Sequence, residues 1–202
     1  MRCGENKSVA GAEKYLVGID PGLSGALFFL DPNRPSTGEA IDLPIHLLLR
    51  SGKKKRELDI TGLIGILTTH RLIHAFVEQV GAMPGQGVSS VFAFGKCYGA
   101  ILGVLASRSV PLSLVSPVSW KRALGVPKAK DGARARASQL LPEAAYQWRL
   151  KKHDGRAEAA LLALYGVRQL GGKPAPRSAP AIRDGDDETS EDTLAVMKAD
   201  PS

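Results

Sequence analysis

The sequence predicts an α/β fold, a mixed β-sheet with helices packed on it. Three observations carry this: short apolar runs that end in an acid or a turn, their later alternation with segments of helical spacing, and enough apolar residues, 44% of 202, for one sizeable core. Residues 15–170 hold all of the patterned sequence, so one domain is expected there, between a flexible N-terminus at 1–14 and a disordered acidic tail at 171–202.

Tyr15-Leu-Val-Gly-Ile-Asp20, the turn formers Pro21 to Gly25, and Ala26-Leu-Phe-Phe-Leu30 predict a hairpin of two buried strands. Asp31 to Gly38 is turn-rich, and Glu39-Ala-Ile-Asp-Leu-Pro44 predicts a third strand at the sheet edge, where proline is tolerated. Ser51-Gly-Lys-Lys-Lys-Arg56 is expected to be a basic loop leading to a helix capped by Asp59 and running to about Thr69.

His74 to Val80 predicts the next strand. A glycine-rich loop, Gly81 to Gly87, follows, with Ser89 and Ser90 as caps of a long helix reaching about Ser107. Pro111 to Ser116 predicts another strand, and Ser116-Pro117 the cap and first position of a short helix through Trp120, Lys121 and Arg122. A basic helical pattern spans 130–141, and alanine and leucine recur at helical spacing from Asp154 to about Leu170, where Gly171-Gly172 stops the helix.

Lys and Arg number 27 against 20 Asp and Glu, and the excess is uneven. Gly171–Ser202 holds four basic and seven acidic residues, which leaves 23 basic against 13 acidic, a net +10, in the body. A folded body that basic points to a polyanionic partner, most commonly nucleic acid. Cys3 and Cys97 lie far apart, which fits a reducing compartment rather than a disulfide scaffold. No apolar run is expected to span a bilayer and no hydrophobic signal core opens the chain, so no membrane partner and a cytoplasmic location are expected.

Four acids carry the candidate chemistry. Asp20 ends a buried strand and Glu78 sits inside Phe-Val-Glu-Gln-Val, both costly places for a charge unless a cation balances it. Asp154 and Glu158 are four apart at the start of a helix, on one face about a turn apart. Carboxylates converging from separate elements supply the hard oxygen ligands that magnesium or manganese requires, and two such ions can drive in-line hydrolysis of a phosphodiester without any organic cofactor.

Gly18-Ile-Asp-Pro-Gly22 with Ser24-Gly25-Ala26, Val77-Glu-Gln79, and His153-Asp-Gly-Arg-Ala-Glu-Ala159 together resemble the RuvC-type Holliday-junction resolvases over about residues 15–168. Pro84 to Ser90 and Trp120-Lys121 resemble the branch found in bacteria, phages and organelles. The resemblance implies an RNase H-like fold, a homodimer, two magnesium or manganese ions, and symmetric nicking of four-way DNA junctions in recombination and repair. It carries over to Asp20, Glu78 and Glu158. The family often spaces its two helical acids three apart, whereas Gly155 stands at that position here, so Asp154 and His153 both remain open as the fourth ligand.

Lys121, after Trp120, is placed to meet the cleaved phosphate. Phosphate grip is expected from Lys53, Lys54, Lys55 and Arg56, from Arg122, Lys128, Lys130, Arg134 and Arg136, and from Arg149, Lys151 and Lys152. The loop with Met83, Gln86 and Gly87, and Ser89 beyond it, should follow Glu78 and reach the DNA, with Gln86 able to bond a base edge. Gly95, Gly99 and Gly103 recur on one helix at about 1 kcal/mol each relative to alanine, a cost that close packing on the sheet or on a partner helix would offset. Two other functions share parts of this pattern. Another RNase H-like nuclease, acting on RNA–DNA hybrids or flaps, would use the same acids. An actin or sugar-kinase ATPase shares the Gly-Ile-Asp turn but needs a much longer chain.

Overall fold

A computed structural model describes residues 13–171, with the exception of Ser51 and Met83. The expected flexible N-terminus and acidic tail fall outside the described residues except for residues 13, 14 and 171, of which Lys14 opens a strand. In chain order the elements are β1 (Lys14–Ile19), β2 (Ala26–Leu30), β3 (Gly38–Asp42), β4 (Ile45–Arg50), β5 (Lys53–Leu58), α1 (Ile60–Thr68), β6 (Arg71–Glu78), α2 (Val88–Ser107), β7 (Leu112–Val115), α3 (Pro117–Leu124), α4 (Gly132–Leu140) and α5 (Asp154–Leu170). Two short 3₁₀ turns, Pro142–Trp148 and Lys151–His153, join α4 to α5.

Five strands form one sheet in the order β3-β2-β1-β6-β7. β1, β2 and β3 are antiparallel neighbours, while β6 runs parallel to β1 and β7 parallel to β6. This is an RNase H-like sheet, flanked by helices on both faces. Strand alternation divides the core in two. Leu16, Phe28, Leu30 and Phe76 point to α3, α4 and α5, whereas Val17, Ile19, Phe29 and Val77 point to α1 and α2.

The residues that set the distance between α5 and the sheet are small. A Cβ on Gly18 would stand 2.1 Å from the Ala159 carbonyl oxygen, and one on Gly166 would stand 2.3 Å from the Phe76 ring. The alanines of α5, with Ala157, Ala159, Ala160 and Ala163 all buried, complete this close seat. Arg156 then clamps α5 to the sheet edge, its guanidinium meeting both oxygens of Asp42 at 2.6 Å and donating to the Gln147 carbonyl at 3.1 Å. Gln147 pairs with the edge of β3 through Ala40 N and Gly38 O.

The expected caps hold at Asp59, which accepts from Gly62 N at 2.9 Å, and at Ser116, which accepts from Ser119 N at 3.2 Å. Three expectations are corrected. The basic stretch after Ser51 is a strand and not a loop, because β5 finds an antiparallel partner in β4, Leu47 opposite Arg56 and Leu49 opposite Lys54, around Gly52 at φ 72°. α2 starts at Val88 with Gly87 as its cap, so Ser89 and Ser90 lie inside its first turn and neither caps it. α2 is also long and apolar enough by composition to cross a bilayer, because its valines, phenylalanines, leucines and isoleucine outweigh its serines and glycines.

Gly95, Gly99 and Gly103 do not pack on the protein's own sheet: a Cβ on any of them would meet nothing within 4 Å.

Candidate metal centre

Asp20 is placed by strand register and a turn. It continues the face of β1 on which Leu16 and Gly18 point to α5. Its amide donates to Ala26 O at 3.0 Å, closing the hairpin, and its Oδ1 accepts from Gly22 N at 3.2 Å. Glu78, the last residue of β6, shares its face with Phe76 and so points to the same side of the sheet. Glu158 lies one turn into α5.

These three acids, from three elements, meet. One carboxylate oxygen from each of Asp20, Glu78 and Glu158 lies within 4.8 Å of the others. Burial chiefly, then a hydrogen-bonding offset from Gly22 and the charges of Glu158 and Glu78, set the Asp20 carboxyl at about 7, far above its usual range. Glu78 is buried, and burial followed by the Glu158 charge raises its carboxyl as well. Two acids whose ionisation is opposed by burial and by a neighbouring carboxylate are what a divalent cation stabilises, and the donor set of the three is hard oxygen throughout.

Two protein groups temper the negative charge. Trp120, fully buried, donates its indole N–H to Glu78 Oε1 at 3.0 Å. Lys121 Nζ lies 3.0 Å from Glu158 Oε1 and 4.9 Å over the Trp120 ring centre. The short α3, launched from the end of β7 by the Ser116 cap, thus brings tryptophan and lysine against two of the acids.

Asp154 is not one of the three. Its carboxylate, 47% exposed, accepts from Arg134 Nε at 2.5 Å. It nevertheless lines the same cleft of about 370 Å³ as Asp20 and Glu158, along with Lys151 and Lys152. His153 also stands apart from the three acids. Its Nδ1 is enclosed without a hydrogen-bond partner, and burial, then the charges of Arg156 and Lys152, push the imidazole below its ordinary value.

Gly155 explains why no acid stands three residues before Glu158. A Cβ there would lie 2.7 Å from Ser24 O and 2.9 Å from Asp20 Oδ2, so the Asp20 turn occupies the space a side chain would need.

The basic candidates separate by position. Lys54, Arg122, Lys128, Lys130, Lys151 and Lys152 are exposed, as is Ser89. The side chain of Lys53 and the whole of Met83 lie outside the described residues. Gln86 and Gly87 are exposed on the segment between β6 and α2. Arg56, though exposed, is committed within the protein: it donates to Ser24 Oγ at 3.0 Å and to Leu23 O, tying the β4–β5 hairpin to the turn that holds Asp20. Arg134 is likewise committed to Asp131 and Asp154. Nothing in the local sequence distinguishes these two arginines from surface cations, since each partner lies on another element or across a turn.

No protein-family model matches the chain, and no curated protein matches it by sequence. Among solved structures, the chain is similar to RuvC of T. thermophilus in complex with a Holliday junction substrate, at 16% identity over 77% of this chain and 96% of that one, TM-score 0.48. It is also similar to the yeast mitochondrial Holliday junction resolvase, at 16% identity over 78% and 80% of the two chains, TM-score 0.48.

Proposed function

We propose that this protein is a metal-dependent endodeoxyribonuclease that nicks four-way DNA junctions symmetrically, acting as a homodimer in recombination and repair. The observation that carries the nuclease reading is the convergence of Asp20, Glu78 and Glu158 within 4.8 Å, beside the Lys121 ammonium. Magnesium or manganese would be held by these three acids, with Asp154 as the fourth ligand at the edge of the same cleft. When bound, such ions supply the Lewis acidity that lets water attack a phosphodiester at neutral pH.

The chain's own residues do the rest. Trp120 fixes the orientation of Glu78 through its hydrogen bond. Lys121, 41% exposed, is free to turn from Glu158 towards a phosphate oxygen and to offset the charge that develops there. Lys151 and Lys152 at the mouth of the cleft attract the backbone of the DNA.

The junction as substrate rests on the resemblance of the Gly18–Ala26, Val77–Gln79 and His153–Ala159 segments and on the net charge of the body. A two-fold substrate cut twice calls for two copies of the chain. The open glycine face of α2, where a second helix could approach closely, is compatible with that.

The test is incubation with a synthetic four-way junction, a linear duplex and an RNA–DNA hybrid, each with magnesium, with manganese or with chelator. Paired symmetric nicks in the junction alone, lost in chelator, are the expected result. Cleavage of the hybrid alone would instead assign the same acids to a ribonuclease.

A further inference from the structure

Two protein cations sit on the candidate acids, and they are held differently. Lys121 reaches Glu158 from a side chain 41% exposed, with a second contact only to the Trp120 ring. Arg134 is 17% exposed and held at two points: Nε donates to Asp154 at 2.5 Å, and Nη2 donates to Asp131. Asp131 precedes α4 and Asp154 opens α5, so the guanidinium joins the starts of two helices.

The acid that Arg134 holds is the one left out of the three-acid group. Asp154 lines the same cleft as Asp20 and Glu158, and its Oδ1 is taken by Arg134. A carboxylate oxygen committed to a guanidinium is a poor donor to a divalent cation, because the two positive groups repel and compete for the same lone pairs.

We propose that Arg134 is a positioning residue that keeps Asp154 in reserve, so that the three-acid group takes a first divalent cation tightly and a second binds only as Asp154 is released from Arg134. This rests on the reading of Asp20, Glu78 and Glu158 as cation ligands, and it adds an order of filling. The two affinities are then set by different residues. The first depends on the three acids, and the second on the strength of one ion pair, which Asp131 weakens by sharing the guanidinium.

The experiment is a Mn²⁺ titration of the full chain, with free ion followed by electron paramagnetic resonance and folding checked by thermal melting. The wild type is expected to bind one ion tightly and one more weakly. Arg134→Gln should tighten the weaker class about tenfold, the scale of one charge-assisted hydrogen bond, and leave the tight class unchanged. Asp131→Asn should weaken the second class, because Arg134 then has Asp154 as its remaining acidic partner. Asp154→Asn should remove the second class alone. If Arg134→Gln does not fold, Arg134→Lys, with a single ammonium in place of the fork, should show a smaller tightening in the same direction.

Loss of affinity in both classes in Arg134→Gln would make the arginine merely structural and overturn the proposal. One ion bound identically by all variants would overturn it while leaving the three-acid group intact. Absence of any Mn²⁺ binding would overturn both.

Discussion

The indole N–H of Trp120 donates to Glu78 Oε1 at 3.0 Å, with both residues buried. The bond joins α3 to the end of β6, and through α3 it fixes where Lys121 stands relative to the acids. A tryptophan that looks like an ordinary core residue is therefore part of what shapes the site.

Replacing Trp120 by Phe keeps most of the packing and removes the donor, leaving a buried carboxylate oxygen unpartnered. The expected cost is about 1–3 kcal/mol in metal-free protein, measured by urea unfolding. A smaller loss in saturating manganese is expected, since a bound cation would take over the stabilisation of Glu78. An equal loss with and without metal would argue that Glu78 is not a ligand.

Asp20 gives a pH dependence whose sign is fixed. Its folded-state carboxyl lies at about 7 against 3.8 for the free group, so the folded protein binds the proton more tightly than the unfolded chain. Stability of the metal-free protein is full below about 4 and is lost as pH rises to about 7, at a slope of up to ~1.4 kcal/mol per pH unit, then levels off. Thermal melting in chelator across that window should show the decline for wild type and a shallower one in Asp20→Asn, where the raised Glu78 carboxyl still contributes. The same variant should abolish metal-dependent cleavage.

Gly18→Ala tests the seat of α5. The new methyl would stand 2.1 Å from the Ala159 carbonyl oxygen and 2.4 Å from Ala163 N, both backbone atoms that move only with the helix. A loss of about 3 kcal/mol is expected by chemical denaturation, with manganese affinity falling as Glu158 is displaced. A stability change within experimental error would mean that α5 sits further from the sheet.

Lys121→Met should lower the single-turnover rate of junction cleavage about a hundredfold, the usual cost of losing one charge-stabilising group, with junction affinity nearly unchanged. The ammonium is partly exposed, so folding stability should move little. A loss of affinity that equals the loss of rate would reassign Lys121 to general phosphate binding.

How far the sequence carries differs from element to element. The apolar runs at 15–30, the Asp59 and Ser116 caps, and the helix from Asp154 to Leu170 are written in local signals and form as expected, while the strand expected at 74–80 runs from Arg71 to Glu78. β4 and β5 were illegible, because Lys53-Lys-Lys-Arg56 has no apolar alternation of its own; only pairing with Ile45–Arg50 makes it a strand.

The acids divide in the same way. That Asp20 ends a strand, that Glu78 lies on one, and that Glu158 rides a helix is local and was determined by the sequence. Their meeting depends on which strands are neighbours, on register, and on glycines at 18, 155 and 166 that let α5 close on the sheet, relationships between residues far apart in the chain. The partners of the basic residues were decided only in three dimensions: Arg56 on the Asp20 turn, Arg134 between Asp131 and Asp154, and Lys121 on Glu158. A charge in a sequence has a sign and a place along the chain, but its partner is whatever the fold brings within about 3 Å.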